Sequence, residues 1–265
     1  MNIESRNNHK HKLRNSMISV CMTTYKGEKY REAQIESILR NLSKGDELIV
    51  SEDGDDMDFL EELKKRDSRI VPLKGPGRGA VANFEYALSH AKGDIIFLSD
   101  QDDLWTGDKV EKVLLEFEDK EVTLVIHDAD LIDGEGKEIA DSFFAFRNSK
   151  SGFLKNLWKN SYIGCCMAFR RELLEYALPF PTGGTLHDQW LGMLSEQMGR
   201  VTFLEEKLVH YRRHEENVSG MQHLPVMTML YNRVSLCWNL LCRKIRGAKS
   251  YKAYAVDEVK ERWKY

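Results

Sequence analysis

Apolar residues follow two different spacings along the first half of the chain. Short apolar runs, rich in β-branched residues and ending in polar ones, predict buried strands. Between these runs, apolar residues recur every three or four positions, which predicts helices with one buried face. The strands are predicted at residues 18–24, 47–51, 69–73, 95–98 and 122–126, and the helices at 30–42, around 59–63, at 80–91 and at 109–117. This alternation predicts an α/β fold in which a mostly parallel, Rossmann-like sheet carries helices on both faces.

The pattern is less regular in the second half of the chain. Helices are expected at residues 170–176 and directly after Asp188, and two short strands at 201–204 and 208–211. The first residues are polar and basic and are expected to form a mobile leader. The chain is therefore divided into three parts: the leader at 1–15, one domain at 16–220 and a tail at 221–265.

The tail combines positive charge with an apolar stripe. From Met227 to Tyr265 it holds nine Lys or Arg residues against three Asp or Glu. Apolar residues from Leu230 to Leu241 recur at roughly helical spacing, which predicts an amphipathic helix as a C-terminal extension of the fold. A basic amphipathic helix can lie on an anionic membrane surface. Packing against the main domain, or in a dimer contact, explains the same pattern, and these alternatives stay open.

Composition narrows the class of protein. With 265 residues, 42% hydrophobic and 31% charged, the chain suits one sizeable globular core. The formal net charge of -3 gives no global reason to expect nucleic-acid binding. Nothing at the N-terminus resembles a secretory signal, so the five cysteines are expected to be reduced thiols in a cytoplasmic protein. No apolar run approaches the roughly 20 residues of a transmembrane helix.

Polar side chains gather where the predicted strands end, and the densest group is acidic. Asp100, Asp102 and Asp103 follow the strand at 95–98. Like charges this close repel, so we expect a cation among them, and carboxylate oxygens suit Mg²⁺ or Mn²⁺ bound with substrate phosphates. A solvated acidic turn is the alternative. Because parallel sheets bind ligands beyond the carboxyl ends of their strands, one edge should collect this cluster and those at residues 23–25, 52–53 and 128–130.

An ordered set of motifs carries a family resemblance. The chain resembles the inverting glycosyltransferases of family 2, with the GT-A nucleotide-sugar fold, over roughly residues 17–220. The form Asp-Gln-Asp-Asp-x-Trp is similar to that of a bacterial branch of rhamnosyltransferases. The motifs are Thr23-Thr24-Tyr25, Ser51-Glu52-Asp53-Gly54, Gly79-Ala80-Val81-Ala82-Asn83, Ser99-Asp100-Gln101-Asp102-Asp103-Leu104-Trp105, His187-Asp188 and the segment from Tyr211 to Gly220.

The resemblance implies a role for each matching residue. It makes Asp188 the catalytic base and Asp102 a ligand of Mn²⁺ or Mg²⁺. His214, also a candidate metal ligand, matches a position that reaches the metal or the diphosphate in some relatives. The family often has Arg where Ala82 stands, and Arg78 is a candidate to replace it. It also implies a nucleotide-binding half at about 16–130 and an acceptor-side half at about 131–220. The implied nucleotide-binding residues are Thr23, Tyr25, Asp53, Asn83 and Asp100, and the diphosphate candidates are Arg78, Arg212 and Arg213.

These roles agree with the chemistry of sugar transfer. Displacing a nucleoside diphosphate leaves negative charge on the leaving oxygen, which a divalent cation at Asp102 would neutralise. The acceptor hydroxyl attacks once a base takes its proton, and Asp188 suits that role if burial raises its pKa. Direct attack assisted by one base inverts the sugar carbon. The alternative for Asp188 is a plain helix N-cap.

The sequence therefore predicts an inverting, metal-dependent glycosyltransferase. The resemblance implies a UDP- or dTDP-sugar as donor, because Asp53 matches the carboxylate that accepts a hydrogen bond from the N3–H that uracil and thymine share. The resemblance to the rhamnosyltransferase branch adds dTDP-rhamnose to the candidates. From the resemblance alone, the acceptor is expected to be a hydroxyl of a glycan or a lipid-linked oligosaccharide in surface-polysaccharide synthesis. The expected location is the cytoplasm, with the inner face of the cell membrane as the alternative.

Two other enzyme classes lack a required feature. A dinucleotide-binding oxidoreductase needs Gly-x-Gly-x-x-Gly after the first strand, where Tyr25-Lys26-Gly27 does not supply it. A metal-dependent phosphohydrolase needs a nucleophilic Asp there, and Thr23 and Thr24 occupy those positions. A non-catalytic nucleotide-sugar binder or assembly protein of the same fold stays open.

Overall fold

One mixed sheet with flanking helices makes up most of the protein. The computed structural model describes residues 16–181, 185–214 and 225–246, together with residue 259, so the predicted leader at 1–15 lies outside the described residues. Within them, the strands are β1 (Ile18–Thr24), β2 (Glu47–Glu52), β3 (Ile70–Lys74), β4 (Ile95–Ser99), β5 (Leu104–Trp105), β6 (Val122–Ile132), β7 (Glu138–Ala140), β8 (Met167–Arg170) and β9 (Arg200–Arg212). The α-helices are α1 (Arg31–Leu39), α2 (Met57–Arg66), α3 (Ala80–Leu88), α4 (Lys109–Glu116), α5 (Phe143–Arg147), α6 (Phe153–Trp158), α7 (Leu174–Ala177), α8 (His187–Met198) and α9 (Val226–Arg246).

The sheet is mostly parallel, as the sequence predicts. Its strand order is β3-β2-β1-β4-β8-β6-β9-β5, and β7 pairs with β6 outside this path. The first four strands pair in parallel. β8 runs antiparallel to both β4 and β6, so β6 has the same direction as β4, and β9 pairs in parallel with β6. The carboxyl ends of β1, β2 and β4 therefore open on one edge.

The core is built on the apolar runs that predict the strands. β1 and β4 are buried along their whole length. Strands that are covered on both faces read as continuous apolar runs and not as alternating ones. The helices supply one apolar face each: α2 begins after Asp56, whose carboxylate accepts a hydrogen bond from the Phe59 N–H, and it buries Phe59, Leu60 and Leu63.

β6 is longer than the sequence predicts. The strand expected to end at Ile126 runs on to Ile132, so Asp128 and Asp130 lie within it. The expectation of a polar loop at residues 128–130 is therefore wrong. The carboxylate of Asp128 is tolerated in the strand because its Oδ1 accepts a hydrogen bond from the Phe144 N–H at 2.8 Å, at the start of α5.

β9 is likewise one strand where the sequence predicts two. It pairs with β6 along its length, with register shifts that absorb the polar stretch. Residues 205–207 are exposed in the middle of the strand and interrupt its apolar pattern without ending it. The continuous strand matters for the site, because it carries the chain to residues 212–214.

α9 confirms the predicted helical extension. Leu236 and Leu240 are each 2% exposed and belong to the hydrophobic core. Arg243 donates a hydrogen bond to the carbonyl oxygen of Leu178 at 2.8 Å and lies over the Trp190 ring of α8. One face of α9 thus packs on the main domain. None of the described helices combines the length and the apolar character that crossing a membrane requires.

Candidate active site

Three of the four predicted polar clusters meet at the carboxyl edge of the sheet. In the strand register, Thr23 of β1 lies beside Ser51 of β2, and Met22 lies beside Ser99 of β4. The segments after these strands begin at Tyr25, Asp53 and Asp100. Nearest-neighbour pairing of parallel strands therefore brings them together, as the rule for such sheets predicts.

The Gln101 amide joins two of these loops. Its Oε1 accepts a hydrogen bond from the Tyr25 N–H at 2.8 Å, and its Nε2 donates one to the Tyr25 carbonyl oxygen at 3.0 Å. A Cβ at Gly27 would collide with Oε1 of Gln101, so the glycine gives the amide its space. Gln34 of α1 supports the same loop by donating to the Asp100 carbonyl oxygen at 3.2 Å. Sequence reasoning missed both glutamines, although the position of Gln101 between two aspartates was a signal.

Asp53 and Tyr25, two of the predicted nucleotide-binding residues, lie at this edge of the sheet. The exposed Tyr25 ring lies beside Gly54. Asp53 accepts hydrogen bonds from the N–H groups of Gly77 and Gly79, both at 2.7 Å. These glycines have positive φ angles of 68° and 87°, so Asp53 holds a loop whose backbone favours glycine. Each carboxylate oxygen keeps a second lone pair, and the predicted contact with a pyrimidine N3–H stays a prediction.

Asn83 and Thr23 lie deeper than the other predicted nucleotide residues. Asn83 is 1% exposed; its Nδ2 donates to the Ser51 carbonyl oxygen at 2.8 Å and its Oδ1 accepts from the Ser51 hydroxyl at 2.5 Å. It therefore fastens the start of α3 to the end of β2. Thr23 is buried within β1. Both side chains are thus buried at this edge of the sheet. Their direct contacts with a nucleotide stay predictions.

Asp102 and His214 form a direct pair. Nε2 of His214 lies 2.8 Å from Oδ2 of Asp102, and both side chains are largely buried. Two adjacent ligands of one octahedral ion, each at roughly 2.1 Å, are roughly 3 Å apart. An imidazole nitrogen and a carboxylate oxygen at this separation fit a shared divalent cation. The structure thus brings together the two residues predicted as metal ligands.

Arg212 locks the end of β9 onto the acidic loop. Its backbone N–H donates to Oδ1 of Asp103 and its Nε donates to the Asp102 carbonyl oxygen, both at 2.9 Å. Its Nη1 donates to the Asp133 carbonyl oxygen at 3.0 Å, and the guanidinium lies over the Tyr30 ring. A buried guanidinium with these partners positions the loop. Its role at the diphosphate stays a prediction.

The other two diphosphate candidates are placed differently. Arg78 is exposed in the loop between Gly77 and Gly79 that Asp53 holds. Arg213 is partly buried, and its guanidinium lies 5.9 Å from the centre of the Tyr211 ring. Both stay predictions as diphosphate ligands.

Asp100, Asp103 and the thiol of Cys165 form a second cluster beside the Asp102–His214 pair. Their carboxylate oxygens and Sγ of Cys165 lie within 4.8 Å of one another. Asp103 is fully buried, and among the described residues its Oδ2 has no hydrogen-bond partner. Burial and the neighbouring carboxylates raise the pKa of Asp103 well above its usual value and that of Asp100 to about 7. A cation would relieve this unfavourable concentration of carboxyl groups.

Lys109 is a buried cation beneath this group. Its Nζ donates to the Cys165 carbonyl oxygen at 2.9 Å and lies 3.8 Å from the centre of the Trp105 ring. Burial lowers the pKa of Lys109 to about 8, while the charges of the nearby thiols, Asp103 and Asp100 act in the opposite direction. Sequence reasoning missed this residue, because a lysine at the start of a helix usually faces solvent.

Asp188 lies in the first turn of α8. The N-cap of α8 is Leu186, so the N-cap alternative for Asp188 is wrong. Burial raises the pKa of Asp188 to about 6, although hydrogen bonds from the Gln189 N–H and the Asn160 amide favour the ionised form. Its charge contributes to the raised pKa of Asp100, after burial and the charge of Asp102.

His187 supports this turn from inside. Its ring stacks on Phe84 of α3 with 4.2 Å between ring centres, and burial lowers its pKa to about 4. A Cβ at Gly164 would lie 2.8 Å from Nε2 of His187, so the glycine makes room for the ring. The neutral imidazole packs as an apolar surface and fixes the position of Asp188.

The curled, mostly parallel sheet with this edge has the architecture of the GT-A-like α/β class. A sequence model of the family described as Glycosyl transferase family 2 matches residues 19–177. The match covers more than half of the chain, and the protein belongs to this family. The rhamnosyltransferase-like branch stays a prediction.

Curated relatives agree with the family. An uncharacterized glycosyltransferase of Nostoc sp. is 25% identical over 211 residues, which span 76% of this chain and 66% of that protein. The Escherichia coli enzyme named UDP-Glc:alpha-D-GlcNAc-diphosphoundecaprenol beta-1,3-glucosyltransferase WfgD is 27% identical over 68% of this chain and 70% of its own length. The putative teichuronic acid biosynthesis glycosyltransferase TuaG of Bacillus subtilis is 26% identical over 77% of this chain and 82% of that protein.

Solved structures share the fold. The crystal structure of S. aureus TarS 1-349 in complex with UDP-GlcNAc superposes with a TM-score of 0.60 at 16% identity, covering 78% of this chain and 62% of that one. This chain therefore matches less than two thirds of the TarS chain and just under two thirds of the Nostoc protein.

Proposed function

We propose that the protein is an inverting glycosyltransferase that moves a sugar from a UDP- or dTDP-sugar to a hydroxyl of an acceptor, with Mn²⁺ or Mg²⁺. The observation that carries the proposal is Asp188 in the first turn of α8, a carboxyl group whose pKa burial raises to about 6 and whose charge in turn raises the pKa of Asp100 in the acidic loop. A base with this pKa is largely ionised at neutral pH, yet it binds a proton more readily than an ordinary aspartate.

The residues at this edge of the sheet have separate roles in the proposed reaction. Tyr25 and Asp53 bind the nucleotide, while Asp102 and His214 hold the cation, which stabilises charge on the leaving diphosphate. Arg78, Arg212 and Arg213 are the candidates for the diphosphate. Asp188 takes the proton of the acceptor hydroxyl as that oxygen attacks the sugar carbon from the face opposite the leaving group.

The names of the relatives support a donor and an acceptor class. WfgD is named for UDP-Glc and a diphosphoundecaprenol acceptor, and TarS binds UDP-GlcNAc in its crystal. TuaG is named for teichuronic acid and WbnJ of Escherichia coli for O-antigen biosynthesis. We therefore propose a glycan or lipid-linked acceptor in surface-polysaccharide synthesis, at the cytoplasmic side of the cell membrane. UDP-sugars are the first donors to test, with dTDP-rhamnose beside them.

A two-stage experiment tests the proposal. Thermal unfolding is measured with UDP, dTDP and GDP, each with Mn²⁺ or with EDTA, and release of nucleoside diphosphate is then measured from the corresponding sugars. We expect stabilisation by UDP or dTDP that needs Mn²⁺, followed by turnover that Asp188→Asn abolishes. Metal-dependent binding with no turnover above that of Asp188→Asn would favour the non-catalytic alternative. No response to any nucleotide would contradict both functions.

A further inference from the structure

α9 presents a second face that the main domain does not cover. While Leu236 and Leu240 are buried, six apolar side chains at helical spacing on the helix are between 44% and 76% exposed. A soluble domain rarely exposes a contiguous row of large apolar residues unless something binds it. The six residues are Met227, Leu230, Tyr231, Val234, Trp238 and Leu241.

α6 extends this surface. Leu154 and Trp158 of α6 are 78% and 70% exposed. Arg233 of α9 connects the two helices: its guanidinium lies 4.6 Å from the centre of the Trp158 ring and donates a hydrogen bond to the Trp158 carbonyl oxygen at 2.6 Å. The six residues of α9 and these two of α6 form what we call the α9–α6 face.

The charge next to this face has one sign. The sequence of α9 contains no Asp or Glu. Of its basic residues, Arg233 contacts Trp158 of this face and Lys244 is exposed, while Arg243 binds the main domain. The chain as a whole has a formal net charge of -3, so this helix differs from the rest of the protein. Exposed Lys159 follows α6 directly and adds to the positive charge.

We propose that the α9–α6 face binds an anionic lipid bilayer. Tryptophan and tyrosine side chains prefer the boundary between headgroups and acyl chains, and neighbouring cations bind anionic headgroups. A second copy of the chain is a poorer occupant, because a two-fold contact through this face would bring two basic helices together.

The α9–α6 face lies close to the helix that carries the proposed catalytic base. α9 packs on α8, and the first turn of α8 carries Asp188. A bilayer at the α9–α6 face would therefore lie against the helix pair that holds the proposed base. This consequence rests on the proposed function, since it concerns an acceptor carried by a lipid.

Vesicle binding tests the proposal with the full chain and without turnover. The probes are vesicles of phosphatidylcholine alone and of phosphatidylcholine with an equal share of phosphatidylglycerol. The wild-type chain should partition about tenfold more strongly to the anionic vesicles, and high salt should weaken the binding. The double variant V234E/W238E should lose about tenfold in partition, and Lys244→Glu, an exposed charge change that spares the apolar face, should lose part of it.

Matched controls are Leu115→Glu and Ile139→Glu, which alter exposed apolar residues elsewhere and should bind like the wild type. Equal binding by V234E/W238E and the wild type would overturn the proposal. So would no vesicle binding by the wild type, with a dimer in light scattering that V234E/W238E abolishes. Vesicle binding without sugar transfer would leave this inference standing and contradict the proposed function instead.

Discussion

Asp102 and His214 are 112 positions apart in the chain, and their side chains meet at 2.8 Å between Oδ2 and Nε2. Asp102 belongs to the loop between β4 and β5, and His214 lies just beyond β9. Arg212, at the end of β9, donates hydrogen bonds to the Asp103 carboxylate and to the Asp102 carbonyl oxygen, and these hold the loop beside β9. The two proposed metal ligands therefore come from separate parts of the chain.

His214→Ala should reduce the metal-dependent part of nucleotide binding. Loss of one ligand or its support typically lowers metal affinity by about 10- to 100-fold. We expect calorimetry to show weaker UDP or dTDP binding in Mn²⁺ and unchanged binding in EDTA, and Asp102→Ala should act in the same direction.

The matched control for this change is His210→Ala. His210 also lies on β9 and also pairs with a carboxylate, Asp130, at 2.8 Å, but it stands outside the site. Its loss should leave the Mn²⁺ effect intact. If His214→Ala and His210→Ala bind nucleotide equally well in Mn²⁺, His214 is not a ligand.

Asp188→Asn should lose transfer and keep nucleotide binding. Removing a positioned base typically costs roughly 10²- to 10⁴-fold in rate. The control is Asp58→Asn, because Asp58 occupies the same second position of α2 and is exposed. Measured turnover should fall for Asp188→Asn alone, and a drop of the same size in Asp58→Asn would refute the assignment.

The same change should stabilise the fold at high pH. A carboxyl whose pKa is raised on folding contributes stability below its unfolded pKa and loses that contribution as the pH rises through the folded value, about 6 for Asp188. An amide has no charge to bury, so Asp188→Asn should gain up to roughly 3 kcal/mol in free energy of unfolding at pH 8. Urea unfolding at pH 5 and pH 8 checks this: a gain that does not shrink at the lower pH would show that burial of the carboxylate charge is not its cause.

The rate of transfer should rise with pH through the pKa of Asp188. Below about pH 6 the carboxyl group is protonated and cannot accept the acceptor proton. We expect an acidic limb near pH 6 in kcat at saturating donor and acceptor. A rate that stays constant from pH 5 to pH 8 would show that this group is not the base.

Gln101→Ala should loosen the loop that carries Asp100 and Asp102. It removes two hydrogen bonds to the Tyr25 backbone, each worth about 1 kcal/mol. We expect nucleotide affinity to fall and the melting temperature to drop by a few degrees. Gly27→Ala should be harmful as well, because its Cβ would collide with the Gln101 amide.

A double-mutant cycle tests whether Gly27→Ala acts through its collision with Gln101. When Gln101 is already replaced by Ala, the collision partner is gone, so adding Gly27→Ala should cost far less nucleotide affinity than Gly27→Ala costs in the wild type. Additive losses of nucleotide affinity would mean that Gly27 and Gln101 act independently.

The sequence alone was enough to predict the acidic cluster and the edge of the sheet on which it lies. Asp102 stands in a run of carboxylates after an apolar strand, and mutual repulsion makes such a run a candidate cation site. The alternation of strands and helices predicted that it would lie beside Tyr25 and Asp53, because parallel strands share an edge. Both inferences depend on local pattern.

Other features depend on contacts that no local pattern contains. Asp128 and Asp130 look like loop residues, and only the pairing of β6 with β9 keeps them in a strand. Lys109 looks like a solvent-facing lysine, but Trp105 and the Cys165 carbonyl oxygen enclose it. Distant segments decide these environments, so the spacing of residues along the chain could not reveal them.

The hydrogen bonds between Arg212 and the acidic loop also predict an order of folding. Its contacts with Asp103 and Asp102 span 109 and 110 positions of the chain. These contacts can form only when the acidic loop and the end of β9, which pairs with β6, are both in place. The parallel half of the sheet can thus assemble before the cation site exists. The amide of Arg212 should therefore lose its protection from hydrogen exchange at lower denaturant than the amides of β1, and the ability to bind metal would be the last property gained on folding and the first lost.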